Sequence, residues 1–273
     1  MRFHLAAYVE SSLDTTNQAL SAVADVLLYG SGTNGFMLPE DMDVIAGYAN
    51  GEGLRSSRVV APSLLRIGYP NIVPSQRNPA GLFTPSDPNL MDLLRNPVRL
   101  RRGERVTAQA TPTVGLTGLP AVQLLWLRAG YDPVPEGESF WLPYHLVSGA
   151  SVALGSWSLV TMEFDQTLPS GSYLIAGIDH DSPSGIAVRI ACPGSSFRPG
   201  ALAIGSPTGL GGGRNHELFY GDHLGSYGVF DTDAPPSLEL LSAVARTTDD
   251  YQDVGMMRLI RIGDVGAAKR FCR

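Results

Sequence analysis

Residues 158–191, SLVTMEFDQTLPSGSYLIAGIDHDSPSGIAVRIA, hold three short apolar segments separated by turn residues. In the first segment apolar and polar side chains alternate, as they do in a strand with one buried face. The residues between the segments are rich in Pro, Ser, Gly and Asp, which favour tight turns. We therefore predict strands over 158–164, 172–178 and 185–191, paired as antiparallel neighbours.

The same rhythm extends along the whole chain, which carries 31 glycines and 20 prolines in 273 residues. Long helices do not tolerate this punctuation, because proline removes a backbone donor and glycine is conformationally permissive. We predict an all-β fold of two β-sandwich or jelly-roll units, 1–136 and 137–273, with at most one short N-terminal helix. Two long Pro- or Gly-rich loops are expected, over 69–97 and 193–228.

Three further segments complete the prediction. Residues 13–28 have apolar side chains near a 3.6-residue period and are predicted either as the short helix or, equally, as a strand over 25–29. The alternating segments 98–101 and 105–110 predict a hairpin. Residues 121–127, AVQLLWL, are apolar throughout and predict a central strand.

The amino-acid composition argues against some classes of function. Charged residues are 17% and the net charge is −6, which argues against a protein that coats nucleic acid. Low charge favours surface that is covered by another subunit, with a neutral-skinned monomer as the alternative. The two cysteines, Cys192 and Cys272, form no disulfide framework or zinc motif. The N-terminal residues lack a secretory signal, and no apolar run is long enough for a membrane span.

Motifs for catalysis are weak. No Gly-x-Ser-x-Gly elbow precedes a helix, and the glycine-rich residues 209–214 lack the Lys-Ser end of a phosphate loop. Glu136, Glu138, Asp231 and Asp233 offer loop carboxylates without the pairing that glycoside hydrolysis requires. The tryptophans, Trp126, Trp141 and Trp157, are expected to pack in cores. We predict no catalysis, no catalytic or cofactor-binding residue, and no cofactor.

Histidines and carboxylates raise one metal question. The Asp-His-Asp triplet follows a predicted strand, and two further His-containing pairs lie in the second long loop. Imidazole suits zinc or iron and carboxylates suit calcium, although these spacings match no standard ligand motif. Turns also use Asp to bond their own backbone, so a structural role stays open. The candidates are Asp179, His180, Asp181, His216, Glu217, Asp222 and His223.

In layout, and in the stretches 96–104 (NPVRLRRGE), 167–173 (TLPSGSY) and 197–200 (FRPG), the chain resembles the double jelly-roll major capsid proteins of tailless icosahedral bacterial viruses. The resemblance implies a homotrimeric coat subunit in an icosahedral shell, located in the virion after synthesis in the host cytoplasm. The basic N-terminal arm of coats that bind genome directly is missing here. An internal membrane or another protein between shell and genome would account for this.

The function we expect is therefore that of a structural, self-assembling major capsid subunit. Its expected partners are other copies of the chain, virion proteins at the vertices and an internal membrane, with no sequence-specific nucleic acid and no small-molecule substrate. Two alternatives remain open at this point. One is a monomeric carbohydrate-binding β-sandwich module or glycan-active enzyme, and the other is a trimeric spike or adhesin.

Overall fold

The computed structural model describes residues 3–51, 54–65, 68–72, 91–113, 116–130, 138–203 and 225–262, together with Pro74 and Val134. The chain divides into two compact units, which are Leu5–Ala129 and Gly130–Arg273 with Met1–His4. The boundary expected between residues 136 and 137 lies outside the described residues and stays a prediction.

The first unit, Leu5–Ala129, consists of short strands. They are β1 (Phe3–Leu13, of which Phe3 and His4 group with the second unit), β2 (Gln18–Ala22), β3 (Phe36–Met37), β4 (Met42–Asn50), β5 (Leu54–Val60), β6 (Asn71–Ile72), β7 (Met91–Asp92), β8 (Val98–Leu100), β9 (Arg105–Pro112) and β10 (Leu116–Arg128). A 3-10 turn, Pro62–Leu64, is the one helical element in the described part of the chain.

The second unit is also built from strands. They are β11 (Ser139–Leu146), β12 (Ser151–Val152), β13 (Trp157–Val160), β14 (Met162–Phe164), β15 (Ser172–Asp181), β16 (Gly185–Ala191), β17 (Gly200–Leu202), β18 (Gly228–Asp231), β19 (Ser237–Ser242), β20 (Arg246–Thr247) and β21 (Val254–Ile262). The all-β prediction is confirmed. No helix long and apolar enough to cross a membrane occurs among the residues that the structure describes.

Strand order identifies the second unit as a jelly roll. Its two main sheets are β11-β21-β15-β18 and β13-β19-β16-β17. Numbered one to eight in chain order, these strands follow the sequence 1-8-3-6 and 2-7-4-5. In a jelly roll the first strand pairs with the eighth, the second with the seventh, the third with the sixth and the fourth with the fifth, all antiparallel. The order found here is that of a jelly roll. The small β12-β20 pair lies between the first two of these pairings, and β14 adds to the edge of β11.

The first unit follows the same order. Its strands run β1-β10-β4-β7 and β2-β9-β5-β6, which is again 1-8-3-6 and 2-7-4-5. The two series join because β1 and β2 also pair directly, with Tyr8 opposite Ala22. Strands β3 and β8 add to β9 and β4. Each unit by itself is thus a jelly roll, and we call them the first roll and the second roll.

Buried apolar side chains fill both rolls. Residues 121–127 of β10 are all buried, and β10 lies between β1 and β4, which confirms the predicted central strand. Residues 172–178 of β15 are likewise buried on both faces. Continuous apolar segments of this kind are expected where a strand is covered on both sides, whereas alternating segments have one wet face.

The helix predicted over 13–28 is wrong, and so is the alternative strand over 25–29. Residues 18–22 form β2 instead, which pairs with β1 and β9. Residues 25–29 form a bent loop in which the Asp25 carboxylate accepts hydrogen bonds from the Leu27 and Leu28 amides. Pairing between two long neighbouring strands outweighed the weak helical periodicity.

Two local pairings expected from sequence are also wrong. β15 and β16 lie in different sheets, and the segment 158–164 divides into β13 and β14, which pair with β19 and β11. β8 pairs with β4, and β9 pairs with β2, β3 and β5, so the expected hairpin over 98–110 does not form. In a jelly roll most consecutive strands lie in different sheets, the fourth and fifth excepted, so adjacency in sequence does not in general give adjacency in a sheet.

The two long loops were predicted too broadly. Strands β6 and β7 lie within 69–97, and β17 and the start of β18 lie within 193–228. These strands complete the 1-8-3-6 and 2-7-4-5 orders, although each is only two to four residues long. Residues 75–90 and 204–224, which include the glycine-rich stretch 209–214, lie outside the described residues.

Candidate functional site: an exposed surface and two buried polar clusters

The Asp-His-Asp triplet ends β15, and the strand divides it between two faces. Successive residues of a strand point to opposite sides, so His180 enters the interior while Asp179 and Asp181 lie on the outer face. His180 is buried and its ring stacks on that of Tyr144, with centroids 5.8 Å apart. Its Nδ1 lies 3.0 Å from the Tyr144 hydroxyl. The triplet therefore does not converge on one point.

A buried polar cluster surrounds this histidine. Asp253 receives a bidentate hydrogen bond from the Arg246 guanidinium, and the Ser182 hydroxyl donates to the same carboxylate at 2.7 Å. The Asp249 amide donates to Asp253 at 2.9 Å. The Asp253 carboxylate holds the loop between β20 and β21 in place, because a backbone amide and a guanidinium of this segment both bind to it.

Burial sets the protonation states in this cluster. It lowers the pKa of His180 to about 4, with the nearby Arg246 adding to the effect against the opposing charge of Asp253. Burial also raises the pKa of Tyr144 well above its usual value, so its hydroxyl keeps its proton. Hydrogen bonds from Arg246 and Ser182 outweigh burial at Asp253 and lower the pKa of that carboxyl. At neutral pH the cluster holds one neutral imidazole beside one ion pair.

No group of three or more His, Cys, Asp or Glu that could hold a metal ion occurs among the described residues. The other candidates from the sequence, His216, Glu217, Asp222 and His223, lie outside those residues. Their participation in a metal site stays a prediction.

Of the loop carboxylates, Glu136 lies outside the described residues, and Glu138 and Asp233 are exposed. Asp231 ends β18 and accepts a hydrogen bond from the Ser172 hydroxyl at 2.5 Å. Ser172 and Asp231 lie opposite each other in the ladder between β15 and β18. This carboxylate therefore secures a strand pair within the second roll.

A second buried cluster was missed in the sequence. Arg189 of β16 lies opposite Glu239 of β19 and forms a buried ion pair with it. The Arg198 side chain reaches the other oxygen of Glu239 at 3.3 Å. The Arg189 guanidinium also covers the Trp157 ring, 3.9 Å from its centroid. The available signal was one charged residue inside each of two otherwise apolar segments, IAVRIA and LELL.

The tryptophans and the described cysteine have mixed outcomes. Trp126 is fully buried in β10, as expected, and Cys192 is a buried free thiol. Trp157 is half-buried beneath Arg189, and Trp141 is 38% exposed on β11, so the expectation of core packing is wrong for Trp141. Cys272 lies outside the described residues.

Several large apolar side chains are exposed in the single chain. They are Val26, Tyr29, Met37 and Leu65 in the first roll, and Phe140, Trp141, Leu154, Leu159, Val244, Tyr251 and Val254 in the second. Isolated exposed apolar residues are ordinary. Tyr29 and Met37 are different because they are joined by two backbone hydrogen bonds and present a continuous apolar surface.

The three stretches that carry the sequence resemblance have identifiable places in the rolls. Residues 96–104 include β8 and a turn with exposed arginines, residues 167–173 form the turn into β15, and residues 197–200 lead from Arg198 into β17. None of them takes part in the cluster around His180, whereas Arg198 belongs to the Arg189 cluster and its amide donates to Nδ1 of the buried His4 at 3.0 Å.

No protein-family model matches the chain, and no curated protein matches it. Among solved structures, the chain is similar to the crystal structure of the major capsid protein P2 from Bacteriophage PM2. The match has 10% sequence identity and a TM-score of 0.21, and it covers 96% of this chain and 99% of that one. A TM-score this low does not establish a shared fold. The two jelly rolls are identified from strand order alone.

Proposed function

We propose that the protein is the self-assembling major coat subunit of a bacterial-virus shell. The observation that carries the proposal is that one chain contains two jelly rolls of the same strand order. Jelly rolls serve virus coats, lectins and cupins, so a single roll would select none of them. Two rolls in tandem supply two rigid blocks per chain, and three chains would then place six blocks around a three-fold axis.

The composition of the surface supports self-association. Charged residues make up only 17% of the chain, and exposed aromatic and aliphatic side chains occur on both rolls. Neighbouring copies would cover these side chains and the edge strands, whose unpaired backbone groups otherwise invite uncontrolled pairing. Closed symmetric assembly satisfies both requirements.

The oligomeric state, location and partners that we propose follow from the resemblance of the sequence to phage coat proteins. The subunit is a homotrimer within an icosahedral virion, made in the host cytoplasm and free of catalysis. Its partners are further copies of the chain, proteins at the vertices and an internal membrane beneath the shell.

Electron microscopy of the concentrated purified protein tests the proposal. Closed shells, or flat arrays of three-fold particles, are the expected result. Isolated elongated trimers that never close would favour a spike or adhesin. Compact single molecules that also bind on a glycan array would overturn the coat proposal in favour of a carbohydrate-binding module.

A further inference from the structure

One exposed surface of the first roll combines three side chains in a row. Tyr29 and Met37 exchange backbone hydrogen bonds of 3.1 and 2.7 Å, and Met37 lies opposite Arg105 in the ladder between β3 and β9. Directly opposed residues of antiparallel strands point to the same side. Tyr29, Met37 and Arg105 therefore form a continuous exposed row, which we call the Tyr-Met-Arg row.

The backbone beneath the Tyr-Met-Arg row is fixed. Gly35 has φ of +73°, and a Cβ there would lie 2.2 Å from the Val106 carbonyl oxygen, so only glycine fits this approach. The Arg105 guanidinium donates to the Asn34 carbonyl oxygen at 3.1 Å. A surface already held in its binding geometry loses little conformational entropy when a partner arrives.

The residue types in the row are those that concentrate binding energy. Tyrosine, methionine and arginine are enriched in protein interfaces, and tyrosine and arginine dominate their hot spots. The turn leading into β9 adds exposed Arg101 and Arg102 beside the row. Asp41, which pairs with Arg99, and Asp43 offset part of this positive charge.

The second roll offers a complementary face on the outer side of β14, β11, β21 and β15. Strand register places Glu163, His145, Val254 and Asp181 in one cross-strand line. A second line runs through Pro143, Met256 and Asp179, and the Asp165 amide donates to the Pro143 carbonyl oxygen at its end. Pro143, Val254 and Met256 lie at the centre of this face beside His145, and carboxylates lie on both sides of them, so we call it the acidic face.

The acidic face carries the carboxylates Glu163, Asp179 and Asp181, and Arg258 lies on the same side of β21, two residues from Met256. Asp181 lies two residues from Asp179 on the same side of β15, and burial together with this like charge raises its pKa. Glu163 is 66% exposed, and the one basic side chain within 4.0 Å of it in the described residues is that of His145, which also lies 2.8 Å from Asp165. The second roll has sixteen acidic and ten basic residues, whereas the first has ten of each. A positively charged partner would complement the Glu163 and Asp181 carboxylates on this face.

We propose that the Tyr-Met-Arg row of one copy docks on the acidic face of a second copy. Arg105 would meet the carboxylates while Tyr29 and Met37 cover Pro143, Val254 and Met256. The contact joins different surfaces of identical chains, and such a contact closes into a ring when its rotation permits. The inference rests on the proposed self-assembly and names the surfaces that perform it.

Charge reversal with rescue tests this contact. Arg105→Glu should weaken self-association by about tenfold or more in sedimentation velocity, because a buried like-charge contact replaces an opposite-charge one. Glu163→Arg alone should weaken it similarly, and the two together should restore it. Tyr29→Ala should weaken association without any charge change. Arg55→Glu and Leu65→Ala, at exposed positions elsewhere on the first roll, should leave association unchanged.

The outcomes separate this inference from the proposed function. Wild-type oligomers that are weakened by the paired variants and rescued by the double reversal support it. Wild-type oligomers that Arg105→Glu and Tyr29→Ala leave intact overturn this contact and leave the coat proposal standing. Weakening without rescue by Glu163→Arg overturns the acidic face as the acceptor. A wild-type chain that remains monomeric overturns the inference and the proposed function together. Unchanged thermal unfolding of each variant shows that it is folded.

Discussion

The two rolls share a strand order but bury different kinds of side chain. Among the described residues, the buried polar groups of the first roll are neutral: Asn50, Ser57, Thr111 and Gln123. The second roll buries two ion pairs, Arg189 with Glu239 and Arg246 with Asp253, and two histidines, His180 beside the latter pair and His4. The difference shows that the strand order depends on apolar patterning and tolerates very different polar contents.

The comparison also indicates which roll loses more stability when a buried polar group is replaced or the pH is changed. A buried neutral pair costs little to replace with apolar groups, whereas a buried charge whose partner is removed is strongly destabilising. The second roll should therefore respond more strongly than the first to single substitutions and to pH. Hydrogen exchange measured by mass spectrometry follows each roll separately in the intact chain.

The largest effect is expected from Asp253→Ala. The substitution leaves Arg246 without its counter-ion and removes the acceptor for the Ser182 hydroxyl and the Asp249 amide. Loss of one partner of a buried pair costs about 3–5 kcal/mol. Urea unfolding followed by hydrogen exchange should show a large loss of protection confined to the second roll.

Gln123→Leu combined with Ser57→Ala is the matched control in the first roll. Gln123 is fully buried and accepts a hydrogen bond from Ser57, while its amide nitrogen has no partner among the described residues. Replacement of both partners by apolar side chains should change stability by less than about 1 kcal/mol. A larger loss here than for Asp253→Ala would break the contrast between the rolls.

The next effect is a pH dependence that belongs to the second roll. Burial lowers the pKa of His180 to about 4 from 6.5, so the folded state binds fewer protons than the unfolded state between these values. Stability is therefore complete above about pH 6.5 and falls as the pH decreases towards 4, by about 3 kcal/mol. The first roll contains no histidine and should lack this term.

His180→Gln checks the origin of the pH dependence. A neutral side chain at this position cannot gain a proton, so the slope of stability against pH between 6.5 and 4 should flatten in the second roll. An unchanged slope would assign the dependence to groups other than His180. Asp181 is not one of them, because its raised pKa acts with the opposite sign.

A smaller effect concerns backbone approach. A Cβ on Gly255 would lie 2.2 Å from the Asp179 carbonyl oxygen and 2.5 Å from the Tyr144 ring. Gly255→Ala should destabilise the second roll by about 1–3 kcal/mol through this overpacking. Gly103→Ala, in the first roll, meets no atom within 4 Å but has φ of +76°, so it should cost about 1 kcal/mol. Equal losses in thermal unfolding would remove the distinction between crowding and backbone strain.

The smallest effect is expected at Trp157. Its ring lies beneath the Arg189 guanidinium, and its indole nitrogen is buried without a partner among the described residues. Trp157→Phe keeps an aromatic face and removes that unsatisfied donor, so the change in stability should be below about 1 kcal/mol. A loss comparable to that of Asp253→Ala would show that the ring holds the Arg189 cluster in place.

The sequence was informative where the signal is local. Alternation and punctuation predicted the all-β class, and the apolar segment 121–127 predicted a central strand. Pairing could not be predicted, because in this topology 172–178 and 185–191 belong to opposite sheets despite their proximity in sequence. The short strands β6, β7 and β17 could not be predicted, because two or three residues are too few to show an alternation of apolar and polar side chains.

The buried polar clusters could be predicted from the sequence only in part. His180 was recognised as unusual, but its neighbours Asp253 and Arg246 are about 70 residues away in sequence and meet it only through the roll. The same limit hid the Glu239 partner of Arg189. The Tyr-Met-Arg row depends on the isolated pairing of Tyr29 with Met37, beyond the segment 13–28 predicted as a helix, and no sequence pattern reveals such a pairing.

The central claim is that this chain assembles with copies of itself, and mass photometry of the purified protein over a concentration series tests it most directly. The account predicts particles of three times the 29.1 kDa chain mass, which grow into larger bodies as the concentration rises. A single species of 29.1 kDa at every concentration would contradict it.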